Sequence, residues 1–150
     1  MAKAVVTGGA GFIGSNLVDR LVDEGFEVLV IDDLSSGSIA NLKDARSRGH
    51  VTVHQIDVTE PSVVGLIHDF RPDSIFHLAA QIDVRRSVSD PVFDAKVNIV
   101  GTINMLEAAR LSNVERFVFA SSGGATFGDT FCIPAPETQA RRPASPYGVS

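Results

Sequence analysis

Three glycines, Gly8, Gly11 and Gly14, recur every third residue in the stretch TGGAGFIG. Glycine tolerates a left-handed turn and lets a second backbone or a ligand come close. Directly ahead lies KAVVT (3–7), a short apolar run rich in β-branched residues that reads as a buried strand. Directly behind lies FIGSNLVDRLVDEG (12–25), where Ile13, Leu17, Val18, Leu21 and Val22 fall at helical spacing and Gly25 ends the helix. A glycine turn that opens a helix presents free N–H groups and the positive end of the helix dipole, which suit a phosphate. Gly8 would permit the turn, Gly11 would let a pyrophosphate approach, and Gly14 would let the helix pack close to the sheet. A plain strand–helix turn also uses glycine, but this spacing in this context points to dinucleotide binding.

Asp32 closes the next apolar run, EVLVID (27–32), 24 residues after Gly8. A carboxylate at that place can accept hydrogen bonds from the adenosine ribose hydroxyls. It would repel a 2′-phosphate, and no arginine lies in 33–41 to hold one, so NAD is favoured over NADP. A capping aspartate is the other use of Asp32. Asp57 and Val58 follow VTVHQI (51–56), where a polar group and an apolar wall suit an adenine. A turn aspartate ahead of Thr59 fits that spacing almost equally well. Tyr147, in SPYGVS, is the only tyrosine. A phenol in water titrates near pH 10, so a tyrosine used as a base needs a cation close by.

These residues need a scaffold, and the chain supplies one. After the strands at 3–7, 27–32 and 51–56, PSVVGLIHDF (61–70) reads as a helix with Pro61 at its first position. SIFHLA (74–79) is a fourth strand and RFVFAS (116–121) a fifth. Between them NIVGTINMLEAARLS (98–112) carries Ile99, Ile103, Leu106 and Ala109 at helical spacing. Alternating strands and helices predict an α/β fold, a doubly wound parallel sheet with helices on both faces. The length fits one domain over 1–150. Ligands of such sheets bind outside the carboxyl ends of the strands, here 8–14, 32–37, 57–58, 79–87 and 121–126. The stretch 122–146, rich in Gly, Pro, Ala and Thr, has no periodicity and reads as a binding loop.

Composition narrows the function. A net charge of −5 leaves no basic stripe for nucleic acid. No apolar run approaches the ~20 residues of a membrane helix. The first strand begins at once, so no signal peptide is expected, and the single cysteine, Cys132, fits a reducing, cytoplasmic setting. His50, His54, His68 and His77 have no partners at metal-ligand spacing and read as structural or exposed. Arg85 and Arg86 read as a solvated helix start, with contact to an acidic substrate as the alternative.

TGGAGFIGSNLV, IDDLSSG, FHLAAQIDVRRSVSDP, VNIVGT, FASSGGATFGD and SPYG follow one another in the order and spacing of the extended short-chain dehydrogenases. The chain resembles their NAD-dependent epimerase/dehydratase family, and within it the bacterial UDP-glucose 4-epimerases. The resemblance implies that Gly8, Gly11, Phe12 and Ile13 line the pyrophosphate, with Gly14 behind them, and that Asp32 takes the ribose. It implies that Asp33, Ser36 and Gly37 lie beside the adenosine and that Asp57 and Val58 hold the adenine. Leu78, Ala79, Ala80 and Gln81 would run under the cofactor, with Asn98 backing that loop. Ser122 would hydrogen-bond the reacting sugar hydroxyl, and Tyr147 would be the tyrosine of a Y-x-x-x-K pair. A UDP-sugar substrate and a homodimer are implied for the whole enzyme.

Phe127 departs from the family, which commonly has tyrosine there. The lysine of the pair would follow Ser150, and the family's smaller C-terminal substrate domain would come later. The chain is therefore expected to be the cofactor-binding part of a longer enzyme, inactive alone and poorly ordered or mispacked after about Gly128, since so short a terminal helix needs tertiary contacts. Three readings compete: a sugar-nucleotide 4-epimerase, a dehydratase of the same family, and a non-catalytic NAD-binding module.

Overall fold

The computed structural model describes residues 1–129 and 133–150. Cys132 lies outside the described residues, so its expected isolation has no structural counterpart here. Strands β1 (Lys3–Thr7), β2 (Glu27–Asp32), β3 (Val51–Gln55), β4 (Ser74–His77) and β5 (Arg116–Phe119) form one parallel sheet in the order β3-β2-β1-β4-β5. The chain crosses from β1 to β2 to β3 on one side, then returns to place β4 beside β1. Strand order reverses between β1 and β4, which makes their carboxyl ends the place for a ligand.

Alternation along each strand feeds two cores. Ala4 and Val6 of β1 with Val28 and Val30 of β2 face α1 (Phe12–Asp23) and α2 (Lys43–Arg48), where Val18, Leu21 and Ala45 are buried. Val5, Leu29, Ile31 and Ile75 face the opposite side, against Val63 and Ile67 of α3 (Ser62–Phe70) and Met105 and Ala108 of α6 (Gly101–Leu111). A buried aliphatic side chain of this size contributes about 1.5–3 kcal/mol, so the two layers carry the fold.

All five expected strands form, the last three shorter than the apolar runs suggest. Pro61 is the N-cap of α3 rather than its first residue. The helices differ more. The apolar residues expected to mark the α6 face, Ile99, Ile103 and Leu106, are 42–56 % exposed, and Gly101, Met105 and Ala108 make the buried face instead. Gly101 allows this contact, because a Cβ there would meet Val58 Cγ2 at 2.7 Å. Ile13 is exposed for a different reason: it sits in the first turn of α1, beyond the core. Upstream of α6, the helix start expected at Arg85 and Arg86 is α4 (Val84–Ser89), α5 (Pro91–Ala95) was not expected, and the first residues of the helix expected over 98–112 belong to a π-helical turn, Lys96–Val100. Asp83 caps α4 and Asp90 caps α5, each accepting from amides of the first turn.

Beyond Gly128, where described, three tertiary bonds reach the segment. Arg142 N–H donates to the Thr126 carbonyl (3.1 Å), Tyr147 N–H to Ser87 Oγ (3.1 Å), and Asn98 Nδ2 to Ser150 Oγ (3.1 Å). These tertiary bonds hold α8 (Pro146–Val149), which a four-residue helix could not sustain by itself.

Candidate functional site

The glycine turn is built on geometry that only glycine fits. Gly8 has φ +67°, and a Cβ there would lie 2.9 Å from the Ala79 nitrogen. A Cβ on Gly14 would lie 2.1 Å from the Gly8 carbonyl oxygen. Gly11 stands as N-cap of α1 with no side-chain cap, which leaves the first-turn amides of the helix without a side-chain acceptor. A concave row of backbone N–H groups at a helix N-terminus fits a pyrophosphate, and Phe12 and Ile13 flank it, both exposed.

Asp32 is 6 % exposed and ties this turn to the next. Its Oδ2 accepts from Ala10 N–H (2.8 Å) and its Oδ1 from Leu34 N–H (2.9 Å). A carboxylate has about four acceptor positions, so hydroxyls can still be taken in addition. The capping use of Asp32 is thus present in the structure. Ala10, between the two turns, also accepts at its carbonyl from Ser38 N–H (3.0 Å) and Asn41 Nδ2 (2.9 Å). Gly37 packs on Ala10 so closely that a Cβ would meet its carbonyl carbon at 2.9 Å. Asp33 and Ser36 are exposed on the same loop, with Asp33 Oδ1 accepting from Ser35 N–H and Oγ.

Asp57 Oδ1 accepts from Thr59 N–H (2.8 Å), the turn role that its spacing allows. The Val58 side chain is buried in the second core, so its apolar wall faces inward rather than toward a ring outside.

At the other end of the crevice a cavity of about 530 Å³ opens beyond the carboxyl ends of β4 and β5. Ala79, Ala80, Asn98, Ser122, Arg141 and Tyr147 are among its lining residues. Ser122 is the N-cap of α7 (Gly123–Phe127) but makes no side-chain cap, which leaves its hydroxyl for another partner. Leu78 and Ala79 amides both donate to Thr7 Oγ1 (3.1 Å each), so the loop after β4 hangs on the end of β1. Having taken two N–H groups, Thr7 Oγ1 gives its proton to His77 Nδ1 (2.6 Å). The other ring nitrogen, Nε2, then carries the proton and donates to Thr102 Oγ1 (3.1 Å), which donates to the Asn98 carbonyl (2.6 Å). Burial between Phe117 and Phe119 lowers the His77 pKa to about 4 and keeps the ring neutral.

The buried Asn98 side chain backs the loop directly. Its Oδ1 accepts from Gln81 N–H (2.8 Å) and its Nδ2 donates to the Gln81 carbonyl (3.0 Å). Gln81 is itself buried, its side chain bonded to Asp83 and Asp94 rather than facing the crevice. Asn98 lies in the π-helical turn, where the i→i+5 spacing re-aims side chains, a feature common at functional sites.

Sequence similarity agrees with this geometry. The profile of the family described as GDP-mannose 4,6 dehydratase matches residues 5–150. A UDP-glucose 4-epimerase of Mycolicibacterium smegmatis is 49% identical over 98% of this chain and 47% of its own length. The crystal structure of a UDP-glucose 4-epimerase of Thermotoga maritima with UDP-glucose superposes with TM-score 0.90 at 41% identity, over 98% of this chain and 47% of that one. A UDP-glucose 4-epimerase of Thermus thermophilus in complex with NAD gives TM-score 0.89 at 42% identity, over 98% of this chain and 46% of that one.

The chain belongs to the NAD-dependent epimerase/dehydratase family.

It spans about half the length of the curated relatives it matches. Against that family the structure adds residues that sequence reasoning missed: Thr7, Ala10, Asn41, Ser87, Asp94 and Thr102. Thr7 and Ala10 lie inside the glycine stretch and were legible by position. Ser87, Asp94 and Thr102 carry no local signal: Ser87 meets Tyr147 60 residues away, Thr102 meets His77 25 away and Asp94 meets Gln81 13 away. Arg85 is exposed, and the Arg86 guanidinium sits 3.9 Å over the Phe93 ring. His50, His54 and His68 are exposed. Among the described residues no cluster of His, Cys, Asp and Glu could hold a metal, and no helix is long and apolar enough to cross a membrane.

Proposed function

We propose that this chain is the NAD-binding part of a cytoplasmic sugar-nucleotide 4-epimerase that interconverts UDP-glucose and UDP-galactose. The observation that supports this most is one cavity lined by Ser122, Tyr147, Ala79, Ala80 and Asn98 at the carboxyl ends of β4 and β5. The cradle at Gly8, Gly11, Phe12, Ile13 and Gly14 holds the pyrophosphate, and Asp32, Asp33, Ser36 and Gly37 hold the adenosine. Asp57 takes the adenine amino group, and Val58 offers only its backbone. Leu78, Ala79, Ala80 and Gln81 form the floor beneath the nicotinamide end.

In the reaction Tyr147 Oη takes the proton of the sugar C4 hydroxyl, with Ser122 Oγ bridging the two oxygens. NAD, when bound, supplies the acceptor and later the donor of the C4 hydride. The same two side chains return the proton after the 4-keto sugar has turned its other face. Redox change cancels over the cycle, so one cofactor serves many turnovers.

Elimination of water would need an acid and a base beside the serine. Here α7 offers Gly123, Gly124, Ala125 and Thr126, none of which titrates near neutral pH. The dehydratase reading therefore lacks its proton carriers. A homodimer is supported by the apolar stripe of Ile99, Ile103 and Leu106 exposed along one helix face. NMR of UDP-glucose incubated with the full-length enzyme tests the assignment: UDP-galactose should appear, and accumulation of a 4-keto-6-deoxy sugar would overturn it.

A further inference from the structure

Asp94 is 1 % exposed, and its Oδ2 has no hydrogen-bond partner among the described residues. A buried carboxylate oxygen without a donor is costly. The other oxygen shows what the residue does. Asp94 Oδ1 accepts from both Gln81 Nε2 (2.8 Å) and Asn98 Nδ2 (3.3 Å).

Asn98 lines the cavity, and Gln81 directly follows Ala79 and Ala80, which line it too. Gln81 belongs to the loop after β4. Its Oε1 accepts from Asp83 N–H (2.7 Å), so its nitrogen must face Asp94. Asn98 takes the Gln81 N–H at its oxygen, so its nitrogen faces the Gln81 carbonyl, Asp94 and Ser150 Oγ. Ser150 Oγ in turn donates to the Tyr147 carbonyl (3.2 Å). On the other flank the fully buried Ser87 donates to the Val84 carbonyl (2.7 Å) and accepts the Tyr147 N–H. The turn carrying Tyr147 is thus held at its amide by Ser87 and at its carbonyl by the Ser150–Asn98–Asp94 chain.

We propose that Asp94 is a positioning residue: a single buried oxygen, acting through Gln81 and Asn98, sets the cofactor loop and the Tyr147 turn at one fixed separation. The proposal rests on the reading of Tyr147 as the base. Remove the acceptor and Gln81 Nε2 keeps only the Asp83 carbonyl, while Asn98 Nδ2 keeps only the Gln81 carbonyl and Ser150 Oγ, so the oxygen shared by the loop and the Tyr147 turn is gone. Tyr147 Oη and the loop can then drift apart. A misplacement of about 1 Å costs on the order of 100-fold in rate. The substrate's remote contacts and the adenosine end do not involve Asp94, so binding should be spared.

The test uses the full-length enzyme with Asp94→Ala, Asp94→Asn and Tyr147→Phe. Asp94→Ala should lower kcat about 10- to 100-fold, with KM and bound NAD changed less than about threefold. Asp94→Asn keeps an oxygen at the Oδ1 place and puts its nitrogen at the unpaired Oδ2 place. It should restore kcat to within about threefold of wild type. Should Asp94→Ala not fold, Asp94→Ser, too short to reach both amides, carries the same expectation. Wild-type kcat in the folded Ala or Ser variant overturns the proposal, and so does an Asn variant as slow as Ala. Tyr147→Phe separates the two readings: if it keeps wild-type turnover, the base assignment fails. If it is inactive while the Asp94 variants are fully active, only the Asp94 proposal fails.

Discussion

The two ends of the crevice are assembled in different ways. At the adenosine end the glycine turn and the loop after β2 lie within residues 7–41, with Asp57 beyond them, and Asp32 and Ala10 tie the two together through the Ala10 and Leu34 amides and the Asn41 side chain. At the reaction end the partners are remote: Tyr147 meets Ser87 60 residues away, and Ser150 meets Asn98 52 residues away. A site made from adjacent segments depends on backbone shape, which glycines and one aspartate can fix. A site made from distant segments depends on side-chain relays through the core, and a break anywhere in the relay is felt at the cavity.

Substitutions should expose this contrast. At the reaction end Tyr147→Phe removes a proton carrier without removing a backbone contact. In the full-length enzyme it should cut kcat by about 10²- to 10⁴-fold and leave NAD bound, as read by steady-state kinetics and cofactor content. Wild-type turnover would make Tyr147 a loop residue.

The relay through His77 should show in stability against pH. Its folded pKa is about 4, below the 6.5 of an unfolded histidine. Above pH 6.5 neither state is protonated and the relay contributes fully. Between pH 6.5 and 4 the unfolded chain binds more protons, so stability falls as pH falls. The loss is about 1.4 kcal/mol per unit, reaching about 3 kcal/mol near pH 4. Denaturant unfolding of wild type against His77→Phe between pH 7 and 4 isolates this part from the carboxylates. Parallel pH slopes for the two proteins would remove His77 from the account.

At the adenosine end, Gly14→Ala places a methyl against the Gly8 carbonyl. The helix must back away, at a cost of about 1–3 kcal/mol, and the pyrophosphate cradle opens with it. Thermal unfolding and NAD titration should both register the change. Unaltered affinity would mean that the cradle is not where the phosphates sit.

The same contrast explains what could be read from the sequence. The sheet, the glycine turn and Asp32 were legible because strand alternation, glycine spacing and the offset to Asp32 are local patterns. Tyr147 and Ser122 became legible only through resemblance, for nothing in their neighbourhoods marks them. The α6 face was misread because its apolar residues at 99, 103 and 106 point outward. The buried face uses Gly101 and Ala108, whose small size lets the helix approach but adds little to an apolar pattern. Val58 sat at the expected place with its side chain turned into the core. Asp94 and Ser87 were invisible because a buried aspartate or serine looks like any surface residue until its partners are in view.

If residues 7–37 form an NAD site in which Asp32 meets the ribose, the chain must discriminate between the two nicotinamide cofactors. Calorimetric titration with NAD and NADP tests it directly. A 2′-phosphate brought to ~4 Å from the Asp32 carboxylate costs about 1–4 kcal/mol between the dielectric limits of water and a protein surface. NAD should therefore bind about 5- to 1,000-fold more tightly than NADP. Equal affinities, or tighter binding of NADP, would confine Asp32 to its capping bonds with Ala10 and Leu34 and contradict the assignment.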